Sequence, residues 1–151
     1  MFEILMYLFE SYFDAGSYPK PDKLSRKLSA AGFEGEEIDE VLTWFTELQQ
    51  QNPENYPAAL DHTTQRHFAE VEQKFIGDEA RHFLVFAEHQ HLICGVEREM
   101  IIDRAVALQQ EHLALDKFKL IMLMVLWNRH DNLDPLLIEE LLTPLSSTQL
   151  H

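Results

Sequence analysis

The sequence predicts an all-α fold, and three observations support this. Apolar residues recur at spacings of three and four along most of the chain, the pattern of amphipathic helices. Glycine, proline and small polar residues interrupt that pattern at intervals, as the ends of helices require. Between Phe118 and Trp127 every residue except Lys119 is apolar, so we expect this segment to be a helix in the middle of a bundle.

Residues 1–50 are expected to form a three-helix lobe with helix-turn-helix-like geometry. Its helices are predicted at 2–13, 22–31 and 35–50. Asp22 is a suitable N-cap for the second helix. Gly32 suits the left-handed residue that follows this helix, and Phe33 suits the apolar position after it. The residues expected to face inward are Leu5, Leu8, Phe9, Tyr12, Leu24, Leu28, Ala31, Ile38, Val41, Leu42, Phe45 and Leu48.

Residues 51–66 are predicted to be a linker, because they are rich in polar residues and proline and show little periodicity. Residues 67–151 are then expected to form a C-terminal helical bundle packed with the first lobe. Its helices are predicted near Glu70, at 78–92 with Asp78 as N-cap and Gly95 as the stop, at 96–109, from Asp116 onward, and at 135–142 after an Asp134 N-cap. The residues expected to be buried in its middle helices are Phe83, Leu84, Phe86, Ala87, Ile101, Ile102, Ala105 and Leu108.

The charge of the chain argues against nucleic acid and membrane surfaces as partners. The net charge is −14, and the residues through Asn52 and those after it are both acidic. A field of this sign repels phosphates and anionic lipids and suits a partner with a basic surface. No apolar stretch approaches the length needed to span a bilayer, and the N-terminus lacks the basic region of a signal peptide. With Cys94 as the single cysteine, we expect a cytoplasmic protein.

The residues that could perform catalysis or bind a metal do not form a recognisable motif. His82 and His89 lie seven residues apart, whereas zinc sites on one helix favour a spacing of four. Glu79 and His82 match the Glu-x-x-His element of di-iron bundles, but no second copy follows. Cys94 is expected at the end of a helix, packed as a small hydrophobe. We therefore predict no catalytic residue, metal or cofactor, and keep an enzyme or metal protein built on His82 and His89 as an alternative.

A second alternative is nucleic-acid binding by the first lobe. In a helix-turn-helix protein the second helix offers basic and amide side chains to the major groove. Here that helix begins with carboxylates, and the basic residues precede it, at Lys20, Lys23, Arg26 and Lys27. The charge pattern therefore favours packing or protein contact for this helix pair, with the four cations as the candidate nucleic-acid contacts of the alternative.

Aromatic residues are the source of the candidate partner site. The first lobe holds more large aromatic side chains than a unit of about 40 residues can bury completely. An exposed aromatic residue inside an acidic rim is typical of a protein-binding hot spot. The candidate partner contacts are Trp44, Glu36, Glu37 and Glu40.

Several segments match a known family in order and spacing. They are Phe2 to Glu10, Ala31-Gly32-Phe33, Glu36-Glu37-Ile38, Leu42-Thr43-Trp44-Phe45 and Leu120 to Asn128. In these segments, and nearly from end to end, the chain resembles the bacterial Smg family. It departs from the family pattern at Ala69, where Thr or Ser is common, and at His82, where Gly is common.

The resemblance implies little about activity. Smg proteins are small proteobacterial proteins without an assigned biochemical function, so no catalytic residue can be transferred. Their genes often lie beside those of a DNA-processing protein used in natural transformation and of a type I topoisomerase. Together with the acidic charge, this favours a non-enzymatic adapter or regulator linked to nucleic-acid metabolism that contacts a protein with a basic surface.

Overall fold

The computed structural model describes residues 1–13, 20–56, 67–130 and 132–142. The chain divides into two compact units, Met1–Gln50 and Gln51–His151. Regular structure in the described ranges is helical, apart from one isolated backbone bridge. The predicted all-α fold class is confirmed.

The first unit contains helices α1 (Phe2–Tyr12), α2 (Pro21–Ala30) and α3 (Gly35–Gln49). α3 contacts both of the others. Each helix buries an apolar stripe at helical spacing, which is the main source of its stability in so small a unit. The buried residues are Ile4, Leu5, Leu8, Phe9, Leu24, Leu28, Ile38, Val41, Trp44, Phe45 and Leu48.

The turn between α2 and α3 follows the predicted pattern. Gly32 has a φ of 100°, in the left-handed region that favours glycine. Its N–H donates to the Ser29 carbonyl, and the Phe33 N–H donates to the Leu28 carbonyl at 3.2 Å. These two bonds define a Schellman motif, and the Phe33 ring then meets the Tyr7 ring edge-on at 5.6 Å.

Four local predictions for the first unit are wrong. Tyr12, which was expected to face inward, is only half-buried. Lys20, not Asp22, is the N-cap of α2, because Pro21 occupies the first helical position, where a missing N–H costs nothing. Ala31 is exposed, since it lies beyond the last turn of α2. Leu42 is only half-buried, and Trp44 takes the inward position instead.

The second unit contains helices α4 (Glu70–Phe75), α5 (Asp78–His89), α6 (Gly95–Ala107), α7 (Leu115–Arg129) and α8 (Pro135–Leu142). α7 contacts α5, α6 and α8, and α4 packs on α6. Every residue from Phe118 to Trp127 is buried, which confirms the prediction of a central helix. None of the helices in the described ranges is long and apolar enough to cross a membrane.

The predicted linker begins with ordered structure. Pro53–Asn55 form a 3-10 helix, and the Asn52 side chain accepts a hydrogen bond from the Glu54 N–H at 3.0 Å. The Gln51 side chain donates to the Met100 carbonyl of α6 at 3.2 Å, so this end of the segment is attached to the second unit. Residues 57–66 of the predicted linker lie outside the described residues, as do 14–19 between α1 and α2.

A short parallel bridge joins the segment after α4 to the segment before α7. Ile76 pairs with Leu113, and the Leu113 N–H donates to the Phe75 carbonyl at 2.9 Å. A Cβ atom on Gly77 would lie 3.1 Å from the Leu113 carbonyl oxygen. Glycine therefore permits the close approach of these two backbones.

Several predictions for the second unit are wrong at helix ends or on faces. Phe83 and Leu108, which were expected to be buried, are only half-buried. α5 ends at His89 rather than Leu92, and Gly95 begins α6 instead of stopping α5. Asp78 is the first residue of α5, with Gly77 as N-cap. Phe86 is 51% exposed, because the face of α5 that points fully inward carries Ala80, Leu84 and Ala87. Asp134 caps α8 as predicted, accepting the Leu136 N–H at 2.9 Å.

His91, in the turn that follows α5, has a left-handed backbone conformation, and its replacement by glycine is expected to stabilise the protein. His91 has a φ of 60°, and its neighbours form the same Schellman pair of bonds that Gly32 forms. The exposed His91 side chain forms no hydrogen bond, ion pair or ring contact within the described part of the chain. His91→Gly should raise the free energy of unfolding by about 0.5–1 kcal/mol, because glycine removes the left-handed strain but adds freedom to the unfolded chain.

The reciprocal variant, Gly32→Ala, serves as the control. A Cβ atom there meets nothing within 4 Å, so the expected loss of about 1 kcal/mol is purely conformational. Urea denaturation of both variants measures the two changes. If His91→Gly instead lowers the free energy of unfolding, the His91 side chain stabilises the protein by more than its left-handed backbone conformation destabilises it.

Candidate functional site

Carboxylates crowd the outward face of α3 at its N-terminal end. Glu36, Glu37 and Glu40 are all exposed, while Ile38 and Val41 between them are buried. None of the three carboxylates has an ion-pair partner among the described residues. The helix dipole favours acidic side chains in the first turn, so local structure tolerates this concentration of charge.

Trp44 does not join this surface. The side chain is 4% exposed and belongs to the core stripe of α3, because its position follows Val41 by three residues. A partner cannot reach the ring in this conformation. The expectation of an exposed tryptophan inside an acidic rim is therefore not met, and the candidate partner surface in α3 consists of carboxylates.

The four candidate nucleic-acid contacts lie at the start of α2 and along it. Lys20, Lys23, Arg26 and Lys27 are all exposed. The Lys27 ammonium lies 4.2 Å from the centre of the Tyr12 ring, a cation–π contact within the first unit. These cations are accessible, but they precede the turn, and the helix after the turn is acidic.

The residues considered for metal binding are scattered over the surface. Glu79, His82 and His89 of α5 are exposed. Within the part of the chain that the structure describes, no group of three or more His, Cys, Asp or Glu side chains could hold a metal ion. Cys94 is the N-cap of α6 and is exposed, so the predictions of a helix C-terminus and of core packing for this thiol are both wrong.

A set of buried charges that the sequence did not reveal lies along α6. The Arg98 side chain is 4% exposed, and its Nη1 atom lies 2.7 and 2.8 Å from the two carboxylate oxygens of Glu88 on α5. Its Nε atom donates to Glu99 at 2.8 Å. One guanidinium thus links α6 to α5 through Glu88 and also contacts Glu99 on its own helix.

Glu97 forms a second buried centre at the start of α6. Its Oε1 atom accepts the Cys94 N–H at 2.9 Å, and its Oε2 atom contacts the Arg129 Nε at 3.3 Å and the His130 ring. Burial raises the pKa of Glu97, but the Cys94 hydrogen bond and the contacts with His130 and Arg129 outweigh it, so the net pKa lies below its ordinary value. The carboxylate thereby ties the start of α6 to the end of α7.

Lys119 is the one charged residue in the apolar segment of α7, and it is 3% exposed. Its ammonium lies 3.3 Å from Glu140 of α8 and 4.7 Å from the centre of the Phe83 ring of α5. A partly exposed carboxylate and an aromatic face thus compensate the buried charge.

A cavity of about 330 Å³ lies between α6, the start of α4 and the segment around Tyr56. Its walls mix apolar side chains with three carboxylates. The lining residues are Tyr56, Ala69, Val71, Glu72, Glu99, Ile102, Asp103 and Val106. The α6 contribution repeats at spacings of three and four, a signal present in the sequence, whereas the opposite wall depends on how α4 packs.

Comparison with known proteins fixes the family. A family model described as "Protein of unknown function (DUF494)" matches residues 1–151. A "Protein Smg homolog" of Azoarcus sp. (strain BH72) is 44% identical over 144 residues, covering 95% of this chain and 93% of that protein. The chain belongs to the Smg family. Smg homologues of Nitrosomonas europaea and Bordetella pertussis are 40% and 38% identical, each with full coverage of both chains. No solved structure matches.

Two departures from the Smg pattern have simple structural outcomes. Ala69 is the N-cap of α4 and offers no side-chain acceptor, yet Glu72 still accepts the Ala69 N–H at 2.9 Å. Half of a capping box therefore remains at this helix. His82 is exposed on α5, so its imidazole does not obstruct a helix contact.

Proposed function

We propose that this Smg protein is a non-enzymatic adapter or regulator that binds a protein with a basic surface through Glu36, Glu37 and Glu40. The observation that supports this most directly is the uncompensated charge of these exposed carboxylates. Opposite charge on a partner would steer encounter and fix orientation. The genes that accompany the family favour a role in nucleic-acid metabolism.

Pull-down with a charge-neutralised variant tests the proposal. Glu36→Gln/Glu37→Gln/Glu40→Gln preserves side-chain size and removes three charges. Tagged protein is incubated with proteobacterial lysate, with and without nuclease treatment, and retained proteins are quantified by mass spectrometry. Wild type should retain a stoichiometric partner with a basic surface, and the triple variant should retain at least about tenfold less, since close charge pairs contribute well over 1 kcal/mol each.

The matched control removes three negative charges from the first turns of other helices. Glu3→Gln/Glu79→Gln/Asp116→Asn alters exposed residues of α1, α5 and α7. This variant should retain the partner as wild type does. Equal loss of the partner in both variants would show that net charge, and not the α3 surface, determines binding. Retention of the partner by the α3 variant at the wild-type level would reject the α3 surface.

Nucleic-acid binding is the second candidate, because all four cations near α2 are exposed. It requires salt-dependent retention of DNA or RNA by wild type that disappears in Lys20→Ala/Lys23→Ala/Arg26→Ala/Lys27→Ala. The adapter proposal expects no such retention. Partners that vanish from the pull-down after nuclease treatment would favour this alternative.

A further inference from the structure

We propose that α5 pairs with α5 of a second copy of this chain, antiparallel and about a two-fold axis. The contact surface is a stripe along the outward side of the helix, formed by Glu79, His82, Phe86 and His89 and called the α5 stripe below. It belongs to the second unit, whereas the α3 carboxylates belong to the first. This self-association therefore does not depend on the proposed binding of a basic partner.

The α5 stripe lies opposite the buried side of its helix. All four of its side chains are exposed, and Phe86 is 51% exposed although it is a large apolar residue. Glu79 and the two histidines form no hydrogen bond, ion pair or ring contact within the described ranges. The half-buried Phe83 borders the stripe, with its ring centre 6.2 Å from that of Phe86. The stripe thus offers both apolar surface and polar groups to another molecule.

The residues of the α5 stripe have the spacing of a coiled-coil seam. They follow one another at intervals of three, four and three residues, so they occupy alternating a and d positions of a heptad. An antiparallel pair whose two-fold axis lies level with Leu84 matches residues at equal distances before and after that position. Glu79 then faces His89 of the second copy, and His82 faces Phe86 of the second copy.

Each layer of this antiparallel pair joins residues that attract each other. The Glu79 carboxylate accepts a hydrogen bond from the His89 imidazole, which carries at least one N–H in either protonation state. The His82 imidazole and the Phe86 ring are both flat and stack against each other. Two-fold symmetry forms each contact twice, and antiparallel helix dipoles place opposite partial charges side by side. The α5 stripe is therefore complementary to itself.

Other arrangements of two copies lack this complementarity. A parallel pair would place Glu79 against Glu79 and His89 against His89, so its end layers would bring like groups together. The α3 surface cannot pair with itself for the same reason, since Glu36, Glu37 and Glu40 would meet carboxylates. An isologous contact also closes at two copies, so the expected product is a dimer.

The dimer is expected to be weak. Only one of the four seam positions is apolar, and a single helix pair buries less than the roughly 1,200 Å² of the smaller stable interfaces. Each copy also carries a net charge of −14. At about 0.15 M salt, however, exposed charges more than about 8 Å apart are largely screened. We expect a dissociation constant on the order of 0.1 mM.

The direct test is sedimentation equilibrium of the full chain, at concentrations from tenfold below to tenfold above that constant. The apparent mass should rise from that of a monomer toward that of a dimer. An NMR dilution series over the same range should move the backbone amides of Glu79, His82, Phe86 and His89 more than those of other helices. A chain that stays monomeric throughout, or whose moving amides lie outside α5, would overturn the proposal.

A charge exchange tests the antiparallel register. Glu79→Lys alone and His89→Glu alone each replace attraction by repulsion in both end layers, so each should weaken association at least about tenfold. The double variant Glu79→Lys/His89→Glu places opposite charges face to face again and should dimerise at least as tightly as wild type. In a parallel pair the double variant would meet like charges in both layers. If it fails to recover association, the proposed pairing is wrong.

Matched controls separate the α5 stripe from general effects of charge and apolar surface. Phe86→Ser should weaken association about tenfold, whereas Leu136→Ser, at a leucine of α8 that is 74% exposed, should leave it unchanged. Glu3→Lys changes the net charge as Glu79→Lys does, at an exposed carboxylate of α1, and should dimerise as wild type does. Urea denaturation establishes that each variant is folded. Equal losses for Phe86→Ser and Leu136→Ser would overturn the assignment to the α5 stripe.

Discussion

Replacing Arg98 with alanine is expected to lower the free energy of unfolding by about 3–5 kcal/mol, the range for removing one partner of a buried ion pair. The guanidinium is nearly inaccessible, and its carboxylate partners Glu88 and Glu99 are only 16% and 17% exposed. Without it, two carboxylates face each other across α5 and α6 with little solvent to screen them. Urea denaturation followed by circular dichroism measures the loss.

A double-mutant cycle assigns the loss to the ion pair. Glu88→Gln alone should cost less than Arg98→Ala, because Glu99 still compensates the guanidinium. The two substitutions together should cost less than the sum of the single ones, with a coupling of about 1–3 kcal/mol.

The control is Arg26→Ala, at an exposed arginine of α2, which should change stability by less than about 0.5 kcal/mol. A loss below about 1 kcal/mol for Arg98→Ala would mean that solvent reaches the pair in solution and that burial does not strengthen it.

The apolar pattern predicted the helices because each one covers the core with a stripe at helical spacing. Phe118 to Trp127 is the clearest case, because a helix without a polar face is buried among other helices on all sides. Phe86 shows the limit of the pattern. The spacing on α5 offers several apolar sides, and only packing against α7 decides which of them faces inward.

The sequence predicted helix ends correctly where the residue at the end has one well-defined structural role. Gly32 and Asp134 behave as expected for a left-handed residue and an N-cap. At the end of α5 the same turn is made by His91, which ordinarily disfavours that conformation, so no sequence signal marks it. Because Gly95 is the nearest glycine, it was predicted to stop α5, whereas it begins α6.

The acidic surface of α3 could be predicted from the sequence, whereas the buried polar groups of the second unit could not. Glu36 and Glu40 are polar positions beside an apolar stripe, and they are exposed as the pattern implies. Arg98 also occupies a polar position in its helix, but its partner Glu88 lies on another helix. Sequence spacing describes one helix at a time, so the cavity and the ion pairs, which depend on several, escaped prediction.

The second large effect is expected for Glu97→Gln, which should lower the free energy of unfolding by about 2 kcal/mol near neutral pH. The amide oxygen of glutamine can still accept the Cys94 N–H, so that part of the helix cap survives. What is lost is the charge opposite Arg129 and His130 at the end of α7. Urea denaturation gives the magnitude, and Glu79→Gln, at an exposed carboxylate of α5, should change little.

The pH dependence separates a charge effect from a packing effect. Because the pKa of Glu97 is lower in the folded protein than its ordinary value of 4.5, its carboxylate contributes stability fully above that pH. The contribution is lost as the pH falls below 4.5 through the folded pKa. The difference in stability between wild type and Glu97→Gln should therefore shrink as the solution is acidified below 4.5. A difference that persists unchanged into acid would show that Glu97 acts through shape and hydrogen bonding, and that its charge contributes nothing to joining α6 and α7.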